Sequence, residues 1–156
     1  MKLLTRLLLT AVLTLSLTAC SPTPTKAEFP PELPRQLLET DAFSEPLEPL
    51  EADLAWMLYG LEDTGLSPES MTAAQVFRST GATCEELVLL SLADEASAKT
   101  AAEALTLYIT YQIQTNADYR PAELPKLEQH VLEQRGNTVL LMVANHPQAA
   151  HELLAP

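Results

Sequence analysis

The sequence has few of the residues from which many functional sites are built. Its 156 residues include four glycines, three histidines and two cysteines. The glycines stand apart, at positions 60, 65, 81 and 136, so no glycine-rich phosphate loop is present. The cysteines, Cys20 and Cys84, are too few for a zinc site built on cysteine ligands.

Basic residues are also scarce. The chain has nine lysines and arginines against 21 aspartates and glutamates, and two of the nine, Lys2 and Arg6, lie at the extreme N-terminus. The rest of the chain therefore has seven basic residues against 21 acidic ones, a net charge of −14. This balance argues against nucleic acid as a partner and against adhesion to anionic lipid headgroups.

Sequence motifs of familiar catalytic chemistries are missing. His-Glu-x-x-His, Gly-x-Ser-x-Gly and Ser-x-x-Lys do not occur. We interpret His130, His146 and His151 as solvated or capping residues, because the five-residue step between the last two suits no shared metal on a helix. We expect no catalytic residue, no cofactor and no metal site.

The N-terminus predicts a secretion signal. Two basic residues are followed by an apolar run over residues 7–17, which fits a signal peptide and is short for a bilayer span. The run ends in Leu17-Thr18-Ala19-Cys20, which resembles the lipobox of bacterial lipoproteins. The resemblance implies cleavage between Ala19 and Cys20, a diacylglyceryl thioether on the Cys20 sulfur, and acylation of the new amino group. An uncleaved anchor helix or an ordinary secretion signal is the alternative.

The predicted lipid on Cys20 has two consequences. Its acyl chains would hold the protein stably at a membrane, since anchoring takes at least two chains. Cys84 would also be left without an intramolecular disulfide partner, and we predict that it is a small buried residue.

The chain divides into three predicted parts. They are a signal peptide over residues 1–19, a lipidated cysteine with a proline-rich tether over 20–46, and a single acidic α+β domain over 47–156. Residues 21–34 contain five prolines, which fix φ and remove hydrogen-bond donors. This composition predicts an extended tether whose removal leaves the domain folded.

Hydrophobic periodicity predicts the element order αββα(α)ββα in the domain. The predicted elements are a helix over 47–61, strands over 72–79 and 86–92, a helix over 94–117, a short helix between Pro121 and Pro125, a hairpin of strands 130–135 and 138–144 joined by Gly136-Asn137, and a helix over 148–154.

This order indicates an α+β, two-layer fold with an antiparallel sheet of about four strands and a long central helix. The strands at 86–92 and 139–144 are apolar on both faces, so the sheet needs cover on both sides. The helix at 47–61 is the expected second cover, and a partner chain is the alternative.

Polar and aromatic side chains receive mainly structural interpretations. Glu85 and Glu86 are adjacent in an extended segment, so they should point to opposite faces and cannot form an acid–base pair. Trp56 is expected to pack in the core. Tyr108 and Tyr111 are expected at the core and its rim rather than in a sugar platform.

Two functional hypotheses follow. The preferred one is a lipid-anchored protein on the extracytoplasmic face of the cell membrane, a non-enzymatic interaction or accessory domain of the cell envelope with an envelope protein as partner. The alternative is a small ligand-binding or hydrolytic envelope protein that uses Glu86, Tyr119 or Glu123 as polar groups.

A series of short motifs runs from about residue 58 to the end of the chain. They are Leu58-Tyr59-Gly60-Leu61, Ala82-Thr83-Cys84-Glu85-Glu86-Leu87-Val88, the alanine-rich helix after Asp94, Tyr119-Arg120-Pro121 and Gly136-Asn137-Thr138-Val139-Leu140-Leu141. In this order and spacing the chain resembles a family of small lipoproteins of Clostridia-type, Gram-positive bacteria, catalogued as a domain of unknown function. The resemblance implies a lipid-anchored extracytoplasmic domain and supplies no catalytic residues. The chain departs from it at Thr138, where members often have an aromatic residue, and at Cys84, where they have a small or acidic one.

Overall fold

A computed structural model describes residues 26–81 and 83–155 of the chain. The predicted signal peptide, Ala19 and Cys20 lie outside these residues. The described residues form one antiparallel sheet of five strands with helices on both faces. The predicted α+β class, antiparallel sheet and long helix are confirmed, and the strand count of about four is corrected to five.

The sheet has the strand order β1-β2-β3-β5-β4. The strands are β1 Glu48–Leu50, β2 Met71–Arg78, β3 Glu86–Leu92, β4 Val131–Arg135 and β5 Thr138–Val143. The helices are α1 Leu33–Leu38, α2 Ala52–Leu58, α3 Glu95–Tyr119, α4 Leu124–Glu128 and α5 His151–Leu154. Short 3-10 turns lie at Leu61–Thr64, Pro68–Ser70, Pro121–Glu123 and Pro147–Ala150.

Strands β3 and β5 form the centre of the sheet and carry most of its core. They pair antiparallel, with Val88 opposite Leu141. Every residue of β5 is buried, and Ser91 is the only residue of β3 that is not. Alternate side chains of both strands enter separate apolar clusters on the two faces.

The first face of the sheet is covered by α3. The Asp94 carboxylate caps this helix by accepting a hydrogen bond from the Ser97 N–H at 2.7 Å. Its buried side contains Ala98, Ala101 and Ala104, whose small side chains let the helix approach the strands closely. Pro121 follows the helix and cannot extend it.

The helix predicted over 47–61 is shorter and lies elsewhere. Residues from Glu48 to Leu50 form the edge strand β1 because Pro49 disfavours helical geometry in the residue before it and suits a sheet edge. The helix α2 begins only at Ala52, and its Trp56 packs on the same face as α3. The prediction that this helix covers the second face is therefore wrong, although Trp56 is buried as expected.

The second face is covered by residues 26–47, which we call the N-terminal strap. Phe29, Leu33 and Leu37 are at most 3 % exposed and pack against the side chains of β3 and β5 on that face. The tether prediction for residues 20–46 is corrected from Phe29 onwards, so the folded domain begins well before residue 47. The many prolines favoured the tether interpretation, although Phe29, Leu33 and Leu37 recur at four-residue spacing. These residues lie in α1 and in the segment that leads to it.

The second half of the chain follows its prediction closely. Strands β4 and β5 form the predicted hairpin, and Gly136 in its turn has a positive φ of 53°, which glycine adopts without strain. Leu127 in α4 is fully buried. The predicted last helix consists of a 3-10 turn followed by α5.

Loss of packing under the strap should unfold the domain more readily. Leu37→Ala removes a fully buried side chain and should lower the free energy of unfolding by about 2–5 kcal/mol, measured by urea denaturation of the soluble domain. Glu32→Ala, at an exposed position of the same segment, is the control. A Leu37→Ala protein with the wild-type midpoint would mean that the strap does not cover the sheet in solution.

Candidate functional site

The candidate site is a buried group of charged and hydroxyl side chains at one end of the sheet. Arg78 ends β2 and lies directly opposite Glu86, which begins β3. The side chains of Tyr108, in α3, and of Tyr59, the residue after α2, both contact Glu86. We call these four residues the Glu86 cluster.

Three donors converge on one oxygen of Glu86. The Arg78 Nε–H and the Tyr59 hydroxyl donate to Oε2 at 3.1 Å each, and the Tyr108 hydroxyl donates at 3.2 Å. Arg78 Nη2 also donates to the Tyr108 hydroxyl at 3.2 Å. The two tyrosine rings meet edge to face, with centroids 4.9 Å apart. The cluster is thus held rigidly by contacts from four different elements or loops.

The other oxygen of Glu86, Oε1, is buried and has no hydrogen-bond partner among the described residues. Burial raises the pKa of Glu86, although the Arg78 charge and the hydrogen bonds oppose the shift. Burial and the neighbouring carboxylate raise the pKa of Tyr59 and of Tyr108, so both remain hydroxyl donors. The cluster can therefore hold a proton on Glu86 at a pH where a solvated carboxyl group has lost it.

Glu85 belongs to a second network beside the first. Its carboxylate accepts hydrogen bonds from the Ser44 backbone N–H, at 3.0 Å to Oε2, and from the Ser44 hydroxyl at 2.9 Å. Lys126 Nζ lies 3.4 Å from Glu85 and 3.3 Å from Glu123. Glu85 and Glu86 thus have separate partners, as expected of neighbours in an extended chain, but the burial of both carboxylates was not predicted.

Cys84 lies between the two networks. Its backbone N–H donates to Glu123 Oε2 at 2.7 Å, and its side chain is buried as predicted. Burial raises the pKa of the thiol, so the reactive thiolate is disfavoured. The position provides packing and a backbone donor rather than a nucleophile.

The residues of the ligand-binding hypothesis are only partly brought together. Glu86 and Glu123 both lie near Cys84 but in different networks, whereas Tyr119 is 84 % exposed at the end of α3. Tyr108 is buried and Tyr111 is 63 % exposed, in agreement with their predicted core and rim positions.

The histidines make no common site. The ring of His130 is within 2.7 Å of the Leu127 carbonyl, and His146 and His151 are exposed. Within residues 26–81 and 83–155, no group of three or more His, Cys, Asp or Glu side chains could hold a metal ion. No helix in this part of the chain combines the length and hydropathy needed to cross a bilayer.

Sequence reasoning missed Arg78, Tyr59 and Lys126 as members of the two networks. A signal was present for the first of them. Glu86 stands at the head of an otherwise apolar strand, and a carboxylate buried there requires a cation or donors nearby. Arg78 is the last residue but one of the preceding predicted strand, and an antiparallel neighbour would place a partner for Glu86 there.

The pH dependence of stability should report the burial of Glu86. Because its folded-state pKa is raised above the ordinary value of 4.5, the stabilising contribution of Glu86 is complete below that value and is lost as the pH rises through the folded-state pKa. From about pH 4 upward, wild type should therefore lose free energy of unfolding relative to Glu86→Gln. Urea denaturation across this pH range measures the difference.

Two tyrosine variants sharpen this test. Tyr108→Phe removes one donor to the carboxyl group and should raise the pKa of Glu86 further, which moves the loss to higher pH. Tyr111→Phe, one turn away on the exposed side of α3, should leave the profile unchanged. Parallel profiles for wild type and Glu86→Gln would show that Glu86 titrates as a solvated residue.

Comparison with known proteins identifies a family but no characterised relative. No curated protein and no solved structure matches the chain. The pattern of a family described as a domain of unknown function (DUF4358) matches residues 48–144, which run from β1 to the residue after β5 and contain the whole Glu86 cluster. The match covers more than half of the sequence, so the chain belongs to the DUF4358 family.

Proposed function

We propose that the chain is a lipoprotein of a Clostridia-type, Gram-positive bacterium, held on the extracytoplasmic face of the cell membrane by a lipid on Cys20. One observation carries this proposal. The segment Leu17-Thr18-Ala19-Cys20 directly follows a basic start and an apolar run of signal-peptide length. In this proposal the domain is a non-enzymatic interaction module that binds another protein of the envelope.

The geometry of the Glu86 cluster supports a non-enzymatic role. Glu85 and Glu86 are at most 1 % exposed, so a substrate cannot reach their carboxyl groups without a rearrangement. Cys84 is buried with a raised pKa, so its thiol is a poor nucleophile. These groups connect the end of the sheet to α3 and α4 rather than line an open cleft.

The outer face of α3 is the surface that best fits a protein partner. No charged residue lies between Glu103 and Asp118, although the chain is strongly acidic. Leu107 is 71 % exposed on this stretch and Tyr111 is 63 % exposed, one helical turn apart. An exposed aliphatic and an exposed aromatic side chain are typical of the centre of a protein interface. Asp63 and Glu103 lie at the edge of this patch, beside Leu107.

The ligand-binding or hydrolytic alternative is favoured by one feature of the cluster. Glu86 Oε1 has no hydrogen-bond partner among the described residues, and the Arg78 side chain beside it is 36 % exposed. A ligand would have to displace Arg78 to reach the carboxyl group, since Arg78 and Tyr108 enclose it.

The lipid anchor has a direct test. Cys20→Ser removes the sulfur that would carry diacylglycerol, so the variant should lose both palmitate-analogue labelling and sedimentation with membranes. Cys84→Ser is the control, because its buried thiol should carry no lipid. Label retained by the Cys20→Ser protein would overturn the proposal.

Contact through α3 is testable by photocrosslinking in cells. A photoreactive phenylalanine analogue at Leu107 should give a discrete adduct, and the adduct should disappear when Tyr111→Glu places a charge in the same face. The same analogue at Gln148, an exposed position in the turn before α5, is the control. Equal adducts from both positions would indicate non-specific contact.

A further inference from the structure

We infer that the hairpin-turn end of the domain, where β4 meets β5, faces the membrane, and that the Glu86 cluster lies at the end turned away from it. The inference rests on the proposed lipid anchor at Cys20. It specifies which end of the domain lies near lipid headgroups and which end is presented to other molecules.

The first described residues are fastened to the hairpin turn. The Phe29 N–H donates to the Thr138 hydroxyl at 3.0 Å, and the Phe29 ring lies 4.2 Å from the Arg135 guanidinium carbon. The Asn137 N–H donates to Glu28 Oε1 at 3.3 Å. The N-terminal segment therefore contacts the domain first at residues 135–138, so an anchor before this segment holds the domain at that end.

Few residues separate this attachment from the anchor. Lys26, whose Nζ lies 2.7 Å from Glu133 Oε1 on β4, is six positions after Cys20. A fully extended chain spans at most ~3.6 Å per residue, so the six residues from Cys20 to Lys26 span at most about 22 Å. The hairpin-turn end must therefore remain near the headgroups whatever path the connecting residues take.

The long helix sets the distance to the other end. α3 starts at the hairpin turn, where the Leu92 N–H donates to the Asn137 carbonyl at 2.9 Å and the Gln134 side chain donates to the Glu95 carbonyl at 3.0 Å. Its 25 residues span about 37 Å. It ends beside Arg120, which neighbours Cys84. Tyr108, which donates to Glu86, lies 13 positions along this helix from Glu95, so the Glu86 cluster is about 20 Å from the anchored end.

Charge disfavours a domain lying flat on the membrane. The described residues contain seven basic and 21 acidic side chains, so anionic headgroups repel the body of the domain. This repulsion acts over a Debye length of about 8 Å at physiological salt, which is enough to oppose close contact along the side of the domain. With one end tied and the body repelled, the free end points outward.

Energy transfer to the membrane tests the orientation. The lipidated protein is reconstituted into phosphatidylcholine–phosphatidylglycerol vesicles that contain a rhodamine-labelled lipid as acceptor. A donor dye is attached at Ala96→Cys, exposed at the start of α3, or at Thr80→Cys, exposed in the loop before Cys84. The unsubstituted protein should take up no dye, because Cys84 is buried.

Transfer from position 96 should exceed transfer from position 80 by about twofold, given the separation of about 20 Å between the two ends of the sheet. Equal transfer or the reverse order would overturn the inference. A 20-residue glycine–serine insertion after Ser21 should reduce the difference in transfer, because the short connection keeps the hairpin-turn end near the membrane. A difference that is not reduced by the insertion would also contradict the inference. Vesicle flotation separates the two proposals, because protein that fails to float has lost the anchor rather than the orientation.

Discussion

The structure depends on the need to cover two apolar strands on both faces. In β3 and β5 nearly every side chain is buried, so neither face of the sheet can be exposed to solvent at these strands. α3 and α2 protect one face, and the N-terminal strap with the last turns of the chain protects the other. Because the strap is also the segment that follows Cys20, the requirement for cover brings the N-terminal connection onto the surface of the domain.

The sequence was sufficient wherever the signal was local. The apolar runs of β3 and β5, the capping residue Asp94 and the Gly136 turn each identify their element within a few residues. The strap could not be recognised in this way. Its prolines are typical of a tether, and the burial of Phe29 and Leu37 depends on strands more than 40 residues away in the chain. Pro49 did indicate that the residue before it is not helical, but the leucines around it have helical spacing and favoured a helix from residue 47.

The Glu86 cluster was predictable only in outline for the same reason. Glu86 and Glu123 were recognised as polar candidates, but their partners come from other elements. Tyr59 is 27 residues from Glu86, and Tyr108 is 22 residues away. Nothing in the sequence near Glu86 shows that two tyrosines and an arginine converge on one of its oxygens. That convergence follows from the packing of α2 and α3 on one face of the sheet and from the pairing of β2 with β3.

The position of the cluster helps to specify the register of one central strand, β3. Strand register is normally specified by alternation of apolar and polar residues, since a slip of one residue turns apolar side chains toward water. β3 and β5 are buried on both faces, so a slip exposes little. The pairing of Arg78 with Glu86 selects the register of β3 against its other neighbour, β2. A shift of one residue there would place Glu86 opposite Phe77 or Ser79 and leave a buried carboxyl group without its cation. An apolar residue at position 86 would avoid the desolvation of a charge but would give up this discrimination between registers.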